Sequence, residues 1–235
     1  MALVAALEEE AHVLSQRLAP AAIPAPLLSI WAGVIEAIPV VLVVSGVGKV
    51  AAALATQFVC DTYRPRGVIT FGLAGATDSD SQTGRLIVAS GAVQHDMDAR
   101  PLTKARGVIP GLGRAMFAAD PTMSEYLRRA TELVVENPTI VTIGLVLTGD
   151  QIVTSREVRD GRLRDFPDGL CFDMETAAIA QVAHQNNIPW AAVRITSDAA
   201  DESFNLDAVL GFGVNTAAGL FDEILRGFLK ISRRA

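Results

Sequence analysis

The sequence predicts an α/β protein, one domain spanning 1–235, in which covered strands alternate with helices. Three observations lead there. Short apolar runs recur at Ala2 to Leu7, Val40 to Val44, Val68 to Phe71, Leu86 to Val93, Ile140 to Leu147 and Trp190 to Ile195, each the length of a strand buried on both faces. Segments with the helical period lie between most of them, and the strand ends carry Gly, Ser, Asp or Glu. Hydrophobic residues make up 50% of the 235, with only 6% aromatic, a composition that lets helices pack closely on a sheet.

The first strand, Ala2 to Leu7, runs into Glu8-Glu9-Glu10 and a helical pattern through Val13, Leu14 and Leu18 that Pro20 closes. Acids in a first turn complement the helix dipole, or one of them turns into a crevice at the strand end. A Pro-punctuated segment from Ile23 to Pro39 has strand character from Leu28 to Ile35. Val40 to Val44 then delivers Ser45-Gly46-Val47-Gly48-Lys49-Val50-Ala51 and a helix through Leu54, Phe58 and Val59, a strand, Gly-rich turn and helix. The G-x-G-x-x-A spacing also fits a dinucleotide fingerprint. It does not follow the first strand, and no acid closes a second strand about 20 residues on.

Val68 to Phe71 leads to Gly72-Leu73-Ala74-Gly75-Ala76, which reads as a second small-residue turn facing the same pocket. Gln94 to Pro110 lacks periodicity and reads as a long loop of functional or interface type. Asp120-Pro121 caps a helix through Leu133, and Ile140 to Leu147 ends in Thr148-Gly149-Asp150 before a charged helix from Ser155 to Arg164. From Phe172 to Asp201 a helix is followed by a buried strand, placing Glu175 in a first helical turn and Asp198 just past a strand's carboxyl end, where α/β sheets bind ligands. Leu206 to Leu229 reads as an amphipathic helix packed on the sheet.

The net charge of −6, with no Lys/Arg cluster, argues against a nucleic-acid surface and for a small-molecule ligand. Cys60 and Cys171 lack ligand spacing and read as reduced core residues. The N-terminus has no export signal and no apolar run approaches a membrane span, so a cytoplasmic protein is expected. His95, Asp96 and Asp98 cluster in the long loop but make a poor metal site.

Six blocks in order, Ala6 to Glu10, Ser45 to Ala52, Val93 to Pro101 with its HDMD, Thr148 to Asp150, Asp173 to Glu175 and Val193 to Asp198, resemble the nucleoside phosphorylase and nucleosidase superfamily. They most closely resemble its 5′-methylthioadenosine/S-adenosylhomocysteine nucleosidase family. The resemblance covers nearly the whole chain. It implies a three-layer α/β/α sandwich around a mixed, partly closed sheet, and a homodimer in which the 94–110 loop lies at or near the partner's site. It implies hydrolysis of the N-glycosidic bond of a 5′-thio-substituted adenosine, with no cofactor and no metal.

By the same resemblance Asp198 is the acid that protonates adenine N7, Glu10 is the base that holds the attacking water, and Arg194 helps orient it. Glu175 accepts hydrogen bonds from the ribose 2′- and 3′-hydroxyls, Met174 packs on the sugar, and the backbone around Val153 reads the adenine edge. Val47 and Ser197 are carried over as substrate-binding positions. Departures stand at Leu73, where relatives have a small hydroxyl residue, at Ala76 in place of Gly, and at Ile152 in place of an aromatic ring. Phe204 and Leu206 are offered to the 5′ pocket. Open alternatives are a phosphate-dependent phosphorylase, a nucleosidase for futalosine or 5′-deoxyadenosine, a nucleoside-binding protein without turnover, and a Rossmann oxidoreductase.

Overall fold

A computed structural model of the chain describes residues 1–21, 28–78 and 83–234. Residues 22–27, which hold the start of the Pro-punctuated segment from Ile23 to Pro39, lie outside the described residues. The strands are β1 (Ala2–Ala5), β2 (Ala19–Pro20), β3 (Ser29–Ile35), β4 (Ile38–Val44), β5 (Val68–Ala76), β6 (Leu86–Gln94), β7 (Met116–Ala118), β8 (Val141–Thr148), β9 (Gly169–Asp173) and β10 (Trp190–Asp198). The helices are α1 (Glu8–Ser15), α2 (Lys49–Tyr63), α3 (Pro121–Val134), α4 (Arg156–Asp165), α5 (Thr176–Gln185), α6 (Leu206–Phe212) and α7 (Ala218–Arg234).

The sheet order is β10-β6-β8-β9-β5-β1-β4-β3-β2, and β10 also pairs with β5, so β5, β10, β6, β8 and β9 close into a ring from which β1 to β4 extend. The pairing is mixed: β1 is parallel to β4 and β5, and β10 is parallel to β5 but antiparallel to β6. This is the mixed, partly closed sheet that the resemblance implies.

Strand periodicity explains why the runs are apolar throughout. In β1, Ala2 and Val4 join a core shared with α2 and α5, whereas Leu3 and Ala5 join a second core under α1, α3 and α7. Each face of the sheet therefore carries its own helix layer. Asp120 caps α3 by accepting from Met123 N–H at 2.8 Å, with Pro121 at the first helical position as the sequence predicts. Both cysteines are free and buried.

The structure corrects four sequence expectations. Gly72 to Ala76 is not a turn: β5 continues through it, paired to β10 as far as Gly75 and to β9 at Gly75 and Ala76. Glycine is needed there because side chains cross the strand, as described below. Phe172 and Asp173 end strand β9 and do not begin a helix, so Glu175 is the residue before α5 and not part of its first turn. The predicted helix from Leu206 is continuous, passing through a π-helical turn at Gly213–Ala217, but its first part, α6, buries no residue in the core, contrary to the expected packing on the sheet. Finally, Leu206–Arg233 is long and apolar enough, by length and composition, to cross a membrane, although no run was expected to approach that. Its α7 part is a core helix: Phe221, Ile224, Leu225, Phe228 and Leu229 are buried on the sheet, and Asp222 is ion-paired to Arg17 at 2.6 Å.

Candidate active site

Several strand ends converge on one cavity of about 210 Å³. All the site residues expected from the sequence line it except Arg194: Glu10, Glu175 and Asp198 with Val47, Leu73, Ile152, Val153, Met174, Ser197, Phe204 and Leu206. Among the described residues, no Lys, Arg or His lines it.

Of the three consecutive acids only Glu10 turns inward; it is 3% exposed. One carboxylate oxygen folds back to accept the N–H groups of Ala6 and Leu7, both at 3.0 Å, at the start of its own helix. The other accepts Leu73 N–H from β5 at 2.8 Å. Burial pushes the Glu10 pKa up, against the opposing pull of Arg194 and of these backbone donors.

A Cβ at Gly72 would lie 2.6 Å from Glu10 Oε1 and 2.8 Å from Arg194 Nη1. These two groups therefore flank the same glycine. Arg194 itself is buried behind the cavity wall and not on it. Its Nε donates to Asp173 Oδ2 at 2.9 Å, and its Nη2 to Thr70 and Thr176 at 3.1 and 2.7 Å. Asp173 also accepts Thr176 N–H at 3.0 Å and Thr148 Oγ1 at 2.5 Å, which joins the ends of β8 and β9 to the middle of β10 and fixes where α5 starts.

Glu175 leads into α5, and its Oε1 accepts Gly48 N–H at 2.8 Å from the turn after β4. Burial, and then the charge of Asp173, push its pKa up to about 8, with Arg194 and the Gly48 hydrogen bond pulling the other way. Asp198 ends β10: Ser197 Oγ donates to one oxygen and Ala200 N–H to the other, both at 2.8 Å. The second bond makes a tight turn, with Ala200 in the left-handed region at φ +49°. Gly75 has to be small because a Cβ there would stand 3.0 Å from Asp198 Oδ1.

Sequence reasoning did not single out Phe172, Gln151, Val209 and Leu210, which also line the cavity. Phe172 sits next to the Asp173-Met174-Glu175 motif and was legible to that extent. Val209 and Leu210 read as core positions of the Leu206 helix, whereas α6, the part before the π-helical turn, lines the cavity instead. Among the described residues no group of His, Cys, Asp and Glu could hold a metal ion. His95 is buried with neither ring nitrogen hydrogen-bonded, its ring edge on Phe172, and burial pushes its pKa down to about 4.

A family model described as the phosphorylase superfamily matches residues 1–230, and the chain belongs to that superfamily. Within it the chain belongs with the 5′-methylthioadenosine/S-adenosylhomocysteine nucleosidases. It is 30% identical over 200 residues to the one from Staphylococcus aureus (strain JH9), covering 85% of this chain and 86% of that protein. The fold is similar to that of the Neisseria meningitidis nucleosidase in complex with methylthio-immucillin-A, with a TM-score of 0.90, 30% identity and 98% of each chain covered. The Helicobacter pylori futalosine hydrolase shares the fold at a TM-score of 0.85 and 24% identity, over 95% of this chain and 96% of that one.

Proposed function

We propose that this chain, acting as one domain over 1–235, hydrolyses the N-glycosidic bond of 5′-methylthioadenosine and S-adenosylhomocysteine, releasing adenine and a 5-thioribose derivative. The observation that carries the proposal is the convergence of Glu10, Glu175 and Asp198, distant in sequence, on one cavity whose lining also includes Asp173 and is otherwise mainly apolar.

Glycoside cleavage needs a proton for the leaving base, an anionic surrounding for the oxocarbenium-like ribose, and an activated water. Asp198, oriented by Ser197 and Ala200, gives its proton to adenine N7 as the C1′–N9 bond breaks. Glu175 keeps Oε2 for the ribose hydroxyls while Gly48 occupies Oε1. Met174 packs on the sugar, Val153 reads the base edge, and Ile152 closes the adenine side. Glu10 holds the water and takes its proton as oxygen bonds to C1′. The buried charge of Arg194 keeps Glu10 from being an isolated anion, so Arg194 is a positioning residue in this scheme. Negative charge on Glu10 and Glu175 stabilises the cation between them.

A phosphorylase must hold a dianion with cationic or hydrogen-bonding donors. Among the described residues no cationic side chain lines the cavity, and Leu73 occupies the wall beside Glu10, which favours water over phosphate as the nucleophile. Val47 and Ile152 are half exposed at the cavity, which leaves a wall for a partner's 94–110 loop to cover in a homodimer. A cytoplasmic enzyme feeding methionine salvage fits this chemistry.

The test is a panel of 5′-substituted adenosines assayed for free adenine with and without phosphate. The 5′-methylthio and 5′-homocysteinyl compounds should release adenine at rates independent of phosphate. Release only with phosphate would overturn hydrolysis in favour of phosphorolysis, and release only from a nucleoside without a 5′-thio group would overturn the substrate assignment.

A further inference from the structure

Three sequence motifs remain without a role in this chemistry: the Lys of the Gly-rich turn, the first Asp of HDMD and the Asp of Thr-Gly-Asp. They meet at one point. Lys49 Nζ lies 2.6 Å from Asp96 Oδ1 and 3.6 Å from Asp150 Oδ2. Asp96 accepts Asp150 N–H with its other oxygen at 2.9 Å, and Asp150 in turn accepts Lys49 N–H at 2.8 Å, which caps α2. Lys49 and Asp96 are largely screened from solvent, at 16% and 22% side-chain exposure. Burial opposes ionisation of Asp96, yet the Lys49 hydrogen bond, the Asp150 N–H and the Lys49 charge together hold its pKa below the usual carboxylate value.

The cluster joins the loops after β4, β6 and β8. The residue before Lys49 is Gly48, at φ +99°, whose N–H reaches Glu175. A Cβ on Gly48 would stand 3.2 Å from Asp150 Oδ1, so the carboxylate also bounds the turn from outside. On the other side, Asp150 is followed directly by the cavity residues Gln151, Ile152 and Val153.

We propose that Lys49, held between Asp96 and Asp150, is a positioning residue that keeps the Gly48 N–H on Glu175 and so aims the ribose-binding carboxylate. The inference rests on the proposed function for its kinetic consequences, but not for its structural one. An unclamped turn lets Gly48 swing away from Glu175 while α2 stays packed, since Gly48 and Lys49 are its cap and first residue and its buried residues begin at Ala52.

The experiment compares Lys49→Met, Lys49→Arg and Asp96→Asn with the unaltered chain. Hydrogen exchange at the Gly48 amide, referenced to core amides of β1, should quicken about 10-fold or more in Lys49→Met and Asp96→Asn and partly recover in Lys49→Arg. For 5′-methylthioadenosine, kcat/KM should fall by roughly 10- to 100-fold, the range that loss of positioning produces. The fall should be under about 3-fold for the 2′,3′-dideoxy analogue, and likewise in a Glu175→Gln background, because the lost interaction is then already absent. Equal losses on both substrates, a fully multiplicative loss with Glu175→Gln, or unchanged Gly48 exchange would each overturn the proposal. If the unaltered chain releases no adenine, the functional reading fails, and Gly48 exchange alone still decides whether the clamp exists.

Discussion

Gly72→Ala separates two explanations of the small-residue stretch in β5. If only backbone conformation mattered, alanine would be tolerated, because Gly72 lies in a paired strand and is not among the residues at positive φ. The geometry says otherwise. The new Cβ would sit 2.6 Å from Glu10 Oε1, whereas ordinary contact begins at 3.4 Å, so the carboxylate or the strand must move by 0.8 Å (3.4 − 2.6). Arg194 Nη1, at 2.8 Å, must give by 0.6 Å (3.4 − 2.8) in the same place. A shift of that size strains the 2.8 Å bond from Leu73 N–H to Glu10. Weakening a hydrogen bond to a buried charge costs about 1.5–3 kcal/mol, and misplacing a catalytic group by about 1 Å can cost 10²-fold in rate. The assay pairs thermal unfolding with kcat for adenine release. Gly72→Ala should lose about 30- to 100-fold in kcat and melt several degrees lower. Wild-type kcat with an unchanged melting temperature would refute the reasoning, because Glu10 would then not be fixed across Gly72.

Other outcomes follow from the buried charges. Glu175 must be ionised to accept the ribose hydroxyls, and its pKa lies near 8, so kcat/KM should rise with pH through about 8; a Glu175→Gln variant should lack that rise in its residual activity. Stability has the opposite sign: a carboxyl whose folded pKa is raised from 4.5 to about 8 contributes most below pH 4.5 and loses that contribution as pH climbs to about 8. The melting temperature of Glu175→Gln should therefore gain on that of the wild type between pH 5 and 9, as scanning calorimetry would show. Arg194→Met should destabilise by roughly 3–5 kcal/mol in a denaturant titration, because it leaves Asp173 buried and uncompensated. Glu10→Gln should keep nucleoside affinity within a few-fold while turnover falls by about 10²-fold or more, measured by calorimetry beside single-turnover adenine release.

Much of the fold was legible because apolar runs of strand length leave few alternatives, and Asp120-Pro121 and Asn186-Asn187 punctuate the helices where the structure starts α3 and ends α5. The β9 strand was not legible: Gly169 to Asp173 is short, and Phe172 abuts a helical pattern that absorbs it by periodicity. The small β7 strand hid in a stretch without alternation. Gly72 to Ala76 was misread because small residues mark both turns and close approaches, and only coordinates reveal that Glu10, Arg194 and Asp198 crowd the strand. The carboxylates themselves were visible as strand-end acids, yet nothing local distinguishes Glu10 from Glu8 and Glu9. Its selection depends on the helix turning the third acid back over β5. The position of Arg194 behind the wall, tied to Asp173 across 21 residues of sequence, was likewise beyond a pattern read along the chain.

Hydrolysis at this site requires Asp198 to give a proton to the departing base, and one measurement addresses that directly: single-turnover adenine release by Asp198→Asn, with substrate affinity measured in parallel. Release slowed by about 10²–10⁴-fold, with affinity within a few-fold of wild type, is the predicted result. Release within a few-fold of the wild-type rate would contradict it, because the proton would then come from another group.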